Sequence, residues 1–538
     1  MTSTGLPRGT MPPLELLTDA SAVADADVDI LVIPSFSGDN GIELSLGSAP
    51  GSPSGTSSPF DRETQVAIWK SLVDIGARGR AGETHLIPAV PGIAATRLFA
   101  VGLGDADTLT DEGLRTAAGT ASRALDHLPA SVGDGDLTAL SLLGTLGIGP
   151  ATEGHGLGGY TYTGAKPGEA QAGRLRRLLI APPTAPSAAG SAATDFSRAC
   201  VVIEAVTCAR DLVNAPANLL YPDSYARIIS DLGSQAGLTV EVLDERQLAE
   251  QGFGALVGVG QGSPRPPRLV RVSYRPDLPE AADTEAPPHV ALVGKGVTFD
   301  TGGISLKPSP NMGNMISDMG GSAAVVAAVI AASELDLAVS VTATVPLAEN
   351  MPDGTAVRPG DVLRHYGGLT TEVLNTDAEG RLILGDAIAR ACEDDPDYLV
   401  ETATLTGAQV RSLGDRTPAV MGTPGLRDRV SALSRDAGEG AWSMPLPAEI
   451  AHDIRSDVAD LRNIPSKSSG GMAAAGHYLA AFVPEGLPWV HLDVAGPAYN
   501  TAAPHGYTPR RATGVPVRTI IAVLEDIAGD TDVAGTTG

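Results

Sequence analysis

The sequence predicts an α/β protein in two parts, a larger C-terminal domain built on a mixed, largely parallel sheet flanked by helices and a smaller N-terminal α/β domain. Three observations carry this. Continuous apolar runs of strand length alternate with stretches of helical period, the pattern of strands buried on both faces and covered by helices. At 538 residues the chain exceeds what one hydrophobic core spans. And a Pro-, Ala- and Ser-rich stretch without apolar period, APPTAPSAAGSAATD over Ala181–Asp195, interrupts the alternation and reads as a linker. This places the domains at 1–190, the linker included, and 191–538.

Before the linker, strands are expected at Val28–Pro34 (VDILVIP), Arg97–Gly102 (RLFAVG), Leu137–Leu143 and Leu175–Ile180, with a helix over Asp111–Leu128. After it, helical period runs from Asp195 to Val213. Strands are then expected at His289–Val293, Ala338–Val345, Thr371–Asn375, Tyr398–Ala403 and Val490–Val494, with helices over Ser322–Leu335 and Leu382–Ala391. Sheets of this kind hold ligands at the C-terminal ends of their strands.

Composition narrows the function. Asp and Glu number 63 against 37 Lys and Arg, a formal charge of -26 that repels nucleic-acid phosphates and anionic membranes. The densest basic cluster, Arg174, Arg176 and Arg177, runs into Leu178–Ile180 and reads as a solvated strand edge. Cys200, Cys208 and Cys392 have no CxxC spacing, so they read as buried free thiols. The N-terminus has neither a charged n-region nor an apolar h-region, and no apolar run is expected to span a membrane; a soluble, cytoplasmic protein is the expectation.

Two segments gather carboxylates and lysines. VGKGVTFDTGGISLKPSPNMGNMISDMGGSAAV, Val293–Val325, holds Lys295, Asp300, Lys307 and Asp318; NTDAEGRL, Asn375–Leu382, holds Asp377, Glu379 and Arg381. Asp377 and Glu379, two apart after an extended segment, project to one side. Converging carboxylates repel unless a cation, a shared proton or solvent relieves them, and a solvated turn is the plain alternative for an isolated DxE. Asp318, before Gly-Gly and an apolar helix, could equally be a helix cap. Four carboxylates at strand ends can hold two divalent ions, and an oxygen-rich set suits Mn, Mg, Co or Zn. Lys295 ligates only as the neutral amine, whereas Lys307 as an ammonium can stabilise charge developing on an oxygen; for both the bland reading is a surface charge. Other motifs fail. VALVGKG has His289 where a phosphate loop needs its first glycine and Gly296 where it needs a hydroxyl. GVGQGS (Gly258–Ser263) ends in Ser263 where a dinucleotide fingerprint has glycine, and neither HExxH nor GxSxG occurs.

Together these two segments resemble the metal-site signatures of the leucyl (cytosol) aminopeptidase family, NTDAEGRL above all. ARDLVNAPAN (Ala209–Asn218), GVGQGSPRPPRLV (Gly258–Val270), ETATLTGA (Glu401–Ala408) and WVHLDVAGPA (Trp489–Ala498) add to the likeness, which is strong from about Arg210 to Asn500 and weaker before the linker. The resemblance implies that Lys295, Asp300, Asp318 and Glu379 bind one divalent ion and Asp300, Asp377 and Glu379 the other, manganese or zinc. Asp300 and Glu379 would bridge. It further implies a hydroxide bridging the two ions as nucleophile, Lys307 polarising the scissile carbonyl, Arg381 holding a bicarbonate that acts as general base, and Met315, Thr404, Leu405 and Gly407 receiving the first side chain. The expected activity is removal of N-terminal Leu and other apolar residues from peptides, by a homohexamer. One departure is local: the family has a basic residue after the position of Met315, and this chain has Ile316 and Ser317 before Asp318.

Two rivals follow. A regulatory or nucleic-acid-binding protein on this scaffold is opposed by the charge and the full ligand set. A dipeptidase acting on substrates such as cysteinylglycine differs only in the peptide length it accepts.

Overall fold

The computed structural model describes residues 5–38, 41–46, 58–129, 132, 135–166, 173–184, 190–277 and 286–529. They form two compact units, Arg8–Thr207 with Ala502–Arg510, and Cys208–Thr501 with 5–7 and 511–529. Of the expected linker, residues 185–189 lie outside the described residues, and Ala192–Asp195 already belong to the helix Ala192–Asn214.

The smaller unit is a seven-stranded sheet. Its strands are β1 (Leu14–Leu16), β2 (Ile30–Gly38), β3 (Gly41–Leu44), β4 (Thr84–Pro88), β5 (Arg97–Gly102), β6 (Leu137–Ser141) and β7 (Leu175–Ile180), in the order β1-β7-β6-β2-β5-β4 with β3 against β2. β1, β7, β6, β2 and β5 run parallel, while β3 and β4 are antiparallel edges. Ile30, Leu31, Val32 and Ile33 are all buried, so the unbroken run does mark a strand covered on both faces. Arg176 and Arg177 lie on β7 about half exposed, paired with Asp136 and Glu15, as a solvated edge does.

The larger unit holds a nine-stranded sheet with β8 (Thr239–Leu243), β9 (Arg268–Tyr274), β10 (His289–Gly294), β11 (Gly296–Asp300) and β12 (Ser340–Asn350). A separate small sheet contains β13 (Val362–Arg364), β14 (Thr370–Glu372) and β18 (Leu461–Arg462), and the main sheet is completed by β15 (Tyr398–Ala403), β16 (Ala419–Gly422), β17 (Trp442–Ser443) and β19 (Trp489–Asp493). The main order is β17-β16-β19-β15-β10-β12-β9-β8, with β11 beside β12. The central strands β19, β15, β10 and β12 are parallel. From β10 the chain goes to β12 on one side and to β15 on the other, so the order reverses at β10, and the crevice beyond its C-terminal end is where such a sheet opens a site.

Two helices link these strands. Gly320–Glu334 is buried almost all round, packed on β10, β12 and β15 and on the helix Val517–Gly529. By length and composition the run Met312–Glu334 is apolar enough to cross a membrane, contrary to the expectation above, but most of it lies inside the core. Gly380–Cys392 packs on β10 and β12, its Leu384 and Ala387 in one cluster with Ala291 and Val293 of β10.

The structure corrects two strand expectations. β12 continues through Pro346 to Asn350, because the missing N–H falls where the partner changes from β10, paired up to Thr344, to β11, paired from Leu347. The strand expected at Thr371–Asn375 is the three-residue β14, in the small sheet rather than the main one. Cys200, Cys208 and Cys392 take part in no disulfide among the described residues and are half-buried rather than buried.

Gly321 and Gly294 permit the helix to touch the sheet beside Lys295. A Cβ on Gly321 would stand 2.1 Å from the Thr402 carbonyl oxygen and 2.9 Å from the Lys295 nitrogen. Gly321→Ala is expected to cost about 1–3 kcal/mol by overpacking, read as a lower urea midpoint at unchanged slope; an unshifted midpoint refutes the close contact.

In the smaller unit His155 is fully buried, its two ring nitrogens each sharing a 2.8 Å hydrogen bond with Ser122 Oγ and Ser141 Oγ. Burial pushes its pKa down to about 3. A depressed histidine contributes stability that is whole above its unfolded value, about 6.5, and is lost as pH falls towards 3. Unfolding followed across that window is expected to show falling stability on acidification with a slope that His155→Gln reduces, and an unaltered slope would contradict the burial.

Candidate metal centre

Each carboxylate of the centre is placed by a distinct local device. β10 and β11 are one extended run broken at Lys295, whose backbone N–H donates to Thr402 O and whose carbonyl accepts from Ser322 N. The break turns the Lys295 side chain into the crevice. It passes Gly380 so closely that a Cβ there would stand 2.4 Å from Lys295 Cε. Asp300 ends β11, and Gly302 and Gly303, at φ 87° and 64°, reverse the chain so that Lys307 returns to the same spot, its N–H donating to Thr301 O at 2.8 Å. Asp318 closes the 3-10 helix Met312–Ser317 at its C-terminal end; the N-cap of the next helix is Met319, so the carboxylate is not that helix's N-cap. Asp377 lies in a turn and Glu379 at the helical start of Gly380–Cys392, so they converge through turn and helix geometry and not through strand alternation.

These groups meet. Asp300, Asp377 and Glu379 each offer an oxygen within 4.8 Å of the others. Lys295 Nζ lies 2.7 Å from Asp318 Oδ2 and 2.9 Å from Glu379 Oε1, and Lys307 Nζ lies 2.7 Å from Asp300 Oδ2 and 2.5 Å from Asp377 Oδ1. Each ammonium thus bridges two carboxylates. Burial would lower Lys295, but Asp318, Glu379 and Asp300 outweigh it and hold its pKa above the usual lysine value. Burial would lower Lys307 too, but Asp300, Glu379 and Asp377 outweigh it and leave its pKa raised. Asp318, Asp300 and Asp377 are all raised, first by burial and then, for Asp318 and Asp300, by the Glu379 charge.

Neutral donors fix the carboxylates. Thr404 Oγ1 donates to Asp318 Oδ1 at 2.8 Å while its carbonyl accepts from Lys295 Nζ at 3.2 Å. Asn350 Nδ2 donates to Asp300 Oδ1 at 2.8 Å and to Thr376 O at 2.9 Å. Thr376 ties the lysine loop down: its Oγ1 donates to Gly302 O at 2.6 Å and accepts from Ser305 N at 2.8 Å. Behind them Asp493 accepts from the N–H groups of Leu405 and Thr406 and from Thr406 Oγ1, holding the segment before the helix Gly407–Leu413.

Of the residues singled out in the sequence, the structure brings together Lys295, Asp300, Lys307, Asp318, Asp377, Glu379 and Thr404. Met315 and Leu405 are half-buried and Gly407 is exposed; among the described residues none of the three hydrogen-bonds to these carboxylates. Asn350, Thr376 and Asp493 were missed. Asn350 lies beyond the strand expected at Ala338–Val345, and these hydrogen-bond partners of Asn350 and Asp493 are 26 to 88 residues away, outside any local pattern.

The donor set fits divalent cations. Glu379 Oε2 is buried without a hydrogen-bond partner, and Asp318 Oδ2 and Asp377 Oδ1 meet their ammonium groups at close distance but off the hydrogen-bond direction. Buried carboxylate oxygens left so are costly until a cation satisfies them. Arg381 is buried too, with Nε and Nη1 unpartnered, which fits an anion. Burial lowers its pKa from the usual arginine value.

Comparison with known proteins identifies the family of the chain. Residues 207–521 match the catalytic domain of the cytosol aminopeptidase family and residues 48–167 its N-terminal domain. The chain is 51% identical over 502 residues to a "probable cytosol aminopeptidase" of Corynebacterium diphtheriae, covering 93% of this chain and 95% of that one. It is likewise 51% identical over 507 residues to one of Rhodococcus opacus, with the same shares covered. Among solved structures, the bottromycin maturation enzyme BotP in complex with Mn superposes with a TM-score of 0.78 at 36% identity, over 93% of this chain and 100% of that one. The chain therefore belongs to the cytosol aminopeptidase family of metallo-exopeptidases.

Proposed function

We propose that this chain hydrolyses N-terminal residues, Leu and other apolar ones preferred, from peptides with the help of two divalent ions, manganese or zinc. The observation that supports it is the convergence of Asp300, Asp377 and Glu379 within 4.8 Å beside Lys295 and Asp318. Lys295, once a cation displaces its proton and leaves the neutral amine, would hold one ion together with Asp300, Asp318 and Glu379, and Asp300, Asp377 and Glu379 would hold the other. Such ions, when bound, supply Lewis acidity and an acidified water as nucleophile. Arg381 would hold bicarbonate, a base for the proton of that water, through Nε and Nη1.

The chain's own residues supply the rest. Lys307 keeps its proton at Nζ and remains about one-fifth exposed, so it can donate to the scissile carbonyl oxygen and stabilise negative charge developing there. The free α-amino group of an N-terminus, as the neutral amine, would coordinate one of the ions, which favours exopeptidase over endopeptidase action. Thr404, Met315, Leu405 and Gly407 would receive the first side chain. With family membership, this reading extends to a homohexamer in the cytoplasm that takes peptide substrates and neither membrane nor nucleic acid. Its catalytic domain is taken as 191–538, with 1–190 as the N-terminal domain and linker.

Leucine p-nitroanilide hydrolysis is expected to stop with chelator and return with Mn(II). Hydrolysis indifferent to chelator refutes the reading. Glu379→Ala is expected to lower kcat by about 100-fold or more, the scale on which loss of one preorganised charge-stabilising group is felt, with the circular dichroism of the folded chain retained. An unchanged kcat removes Glu379 from the site.

A further inference from the structure

We infer that Asn350 is a positioning residue of the metal centre, joining through one side-chain amide the two chain segments that carry its carboxylates; this rests on the two-ion reading above. Asn350 is the last residue of β12 and is buried. Its Nδ2 reaches in two directions, to the Asp300 carboxylate and to the backbone carbonyl of Thr376, next to Asp377. Its own backbone carbonyl accepts from Thr301 N at 3.0 Å and Thr301 Oγ1 at 2.8 Å, so the residue is anchored to the segment it orients. Gly303 leaves room for it: a Cβ there would stand 2.7 Å from Asn350 Oδ1.

The consequence falls on Asp300. Its Oδ1 takes two hydrogen bonds, from Asn350 Nδ2 and from Gly302 N, both 2.8 Å, while its Oδ2 faces Lys307. One oxygen is therefore committed to the protein and the other is presented to the cation site, with the carboxylate plane set by the protein. A carboxamide suits this place because it donates without adding charge. Aspartate would offer no donor and a further negative charge, and a cationic side chain would oppose the ions. Groups that fix a metal-binding side chain in this way typically contribute about 10- to 100-fold to metal affinity.

The test uses the full chain stripped of metal by chelator, with Mn(II) alone as probe. Equilibrium dialysis with metal quantification gives the affinity, and thermal melting with and without saturating Mn(II) gives the stabilisation by metal. Asn350→Leu, similar in size but without a donor, is expected to bind Mn(II) about 10- to 100-fold more weakly and to show a smaller Mn(II)-induced rise in Tm, while the stripped variant still melts cooperatively. A purely structural residue would lower the Tm of the stripped chain and leave the Mn(II) affinity as in the wild type, which would overturn the inference. Asn350→Ala is measured in parallel. Should both variants be unfolded when stripped of metal, Asn350 is structural and the inference fails. Wild-type chain that takes up no Mn(II) sinks the two-ion reading itself, whereas normal wild-type uptake with unweakened variants sinks only the role of Asn350.

Discussion

The constraint on which the larger unit depends is the gathering of four carboxylates, Asp300, Asp318, Asp377 and Glu379, in one largely buried place. Ionised groups so close repel strongly where water is excluded, and burial alone already disfavours their charged forms. The fold answers with two lysines, each set between two acids, and with neutral donors from Thr404 and Asn350 that hold the carboxylates in place. The surrounding sheet serves that arrangement. Strand order reverses at β10, a run of extended chain breaks at Lys295, and glycines at 294, 321 and 380 let backbone and side chain pass where a methyl group would not fit.

Buried ion pairs of this kind are poor sources of stability, since the desolvation of the partners offsets their attraction. Their presence in the sheet crevice therefore needs another reason than folding, and the incomplete satisfaction of Glu379 Oε2 and of the Arg381 guanidinium points to chemistry. The same contrast holds against His155 in the smaller unit, where a buried polar side chain has both nitrogens satisfied by serines and serves packing alone.

Much of this was legible in the sequence where the physical signal is local. The strands expected at Arg97–Gly102, Leu175–Ile180 and Tyr398–Ala403 have those bounds, because each is a short, largely apolar stretch of strand length. Asp377 and Glu379 stood out as like charges two residues apart, and Lys295, Asp300, Lys307 and Asp318 as charged residues in a Gly-rich, largely uncharged stretch. Signals that depend on distant partners did not. The strand expected at Ala338–Val345 stops short of Asn350, because its continuation depends on the change of neighbour from β10 to β11. The antiparallel strands β8 and β9 mix charged and apolar residues at the sheet margin, and Asp377 and Glu379 came together through a turn and a helix start that no alternation rule describes.

Lys295 and Lys307 have one more consequence. In many small metalloproteins the ion is the keystone, and the chain collapses only after capturing it. On the proposed two-ion reading the internal ammonium groups would act as resident counter-ions, so that the polypeptide could mature first and acquire its metal afterwards. Selection of the ion would then be separated in time from chain maturation, and oxygen donors with weak intrinsic discrimination would leave that selection to whichever divalent cation the surroundings hold in supply.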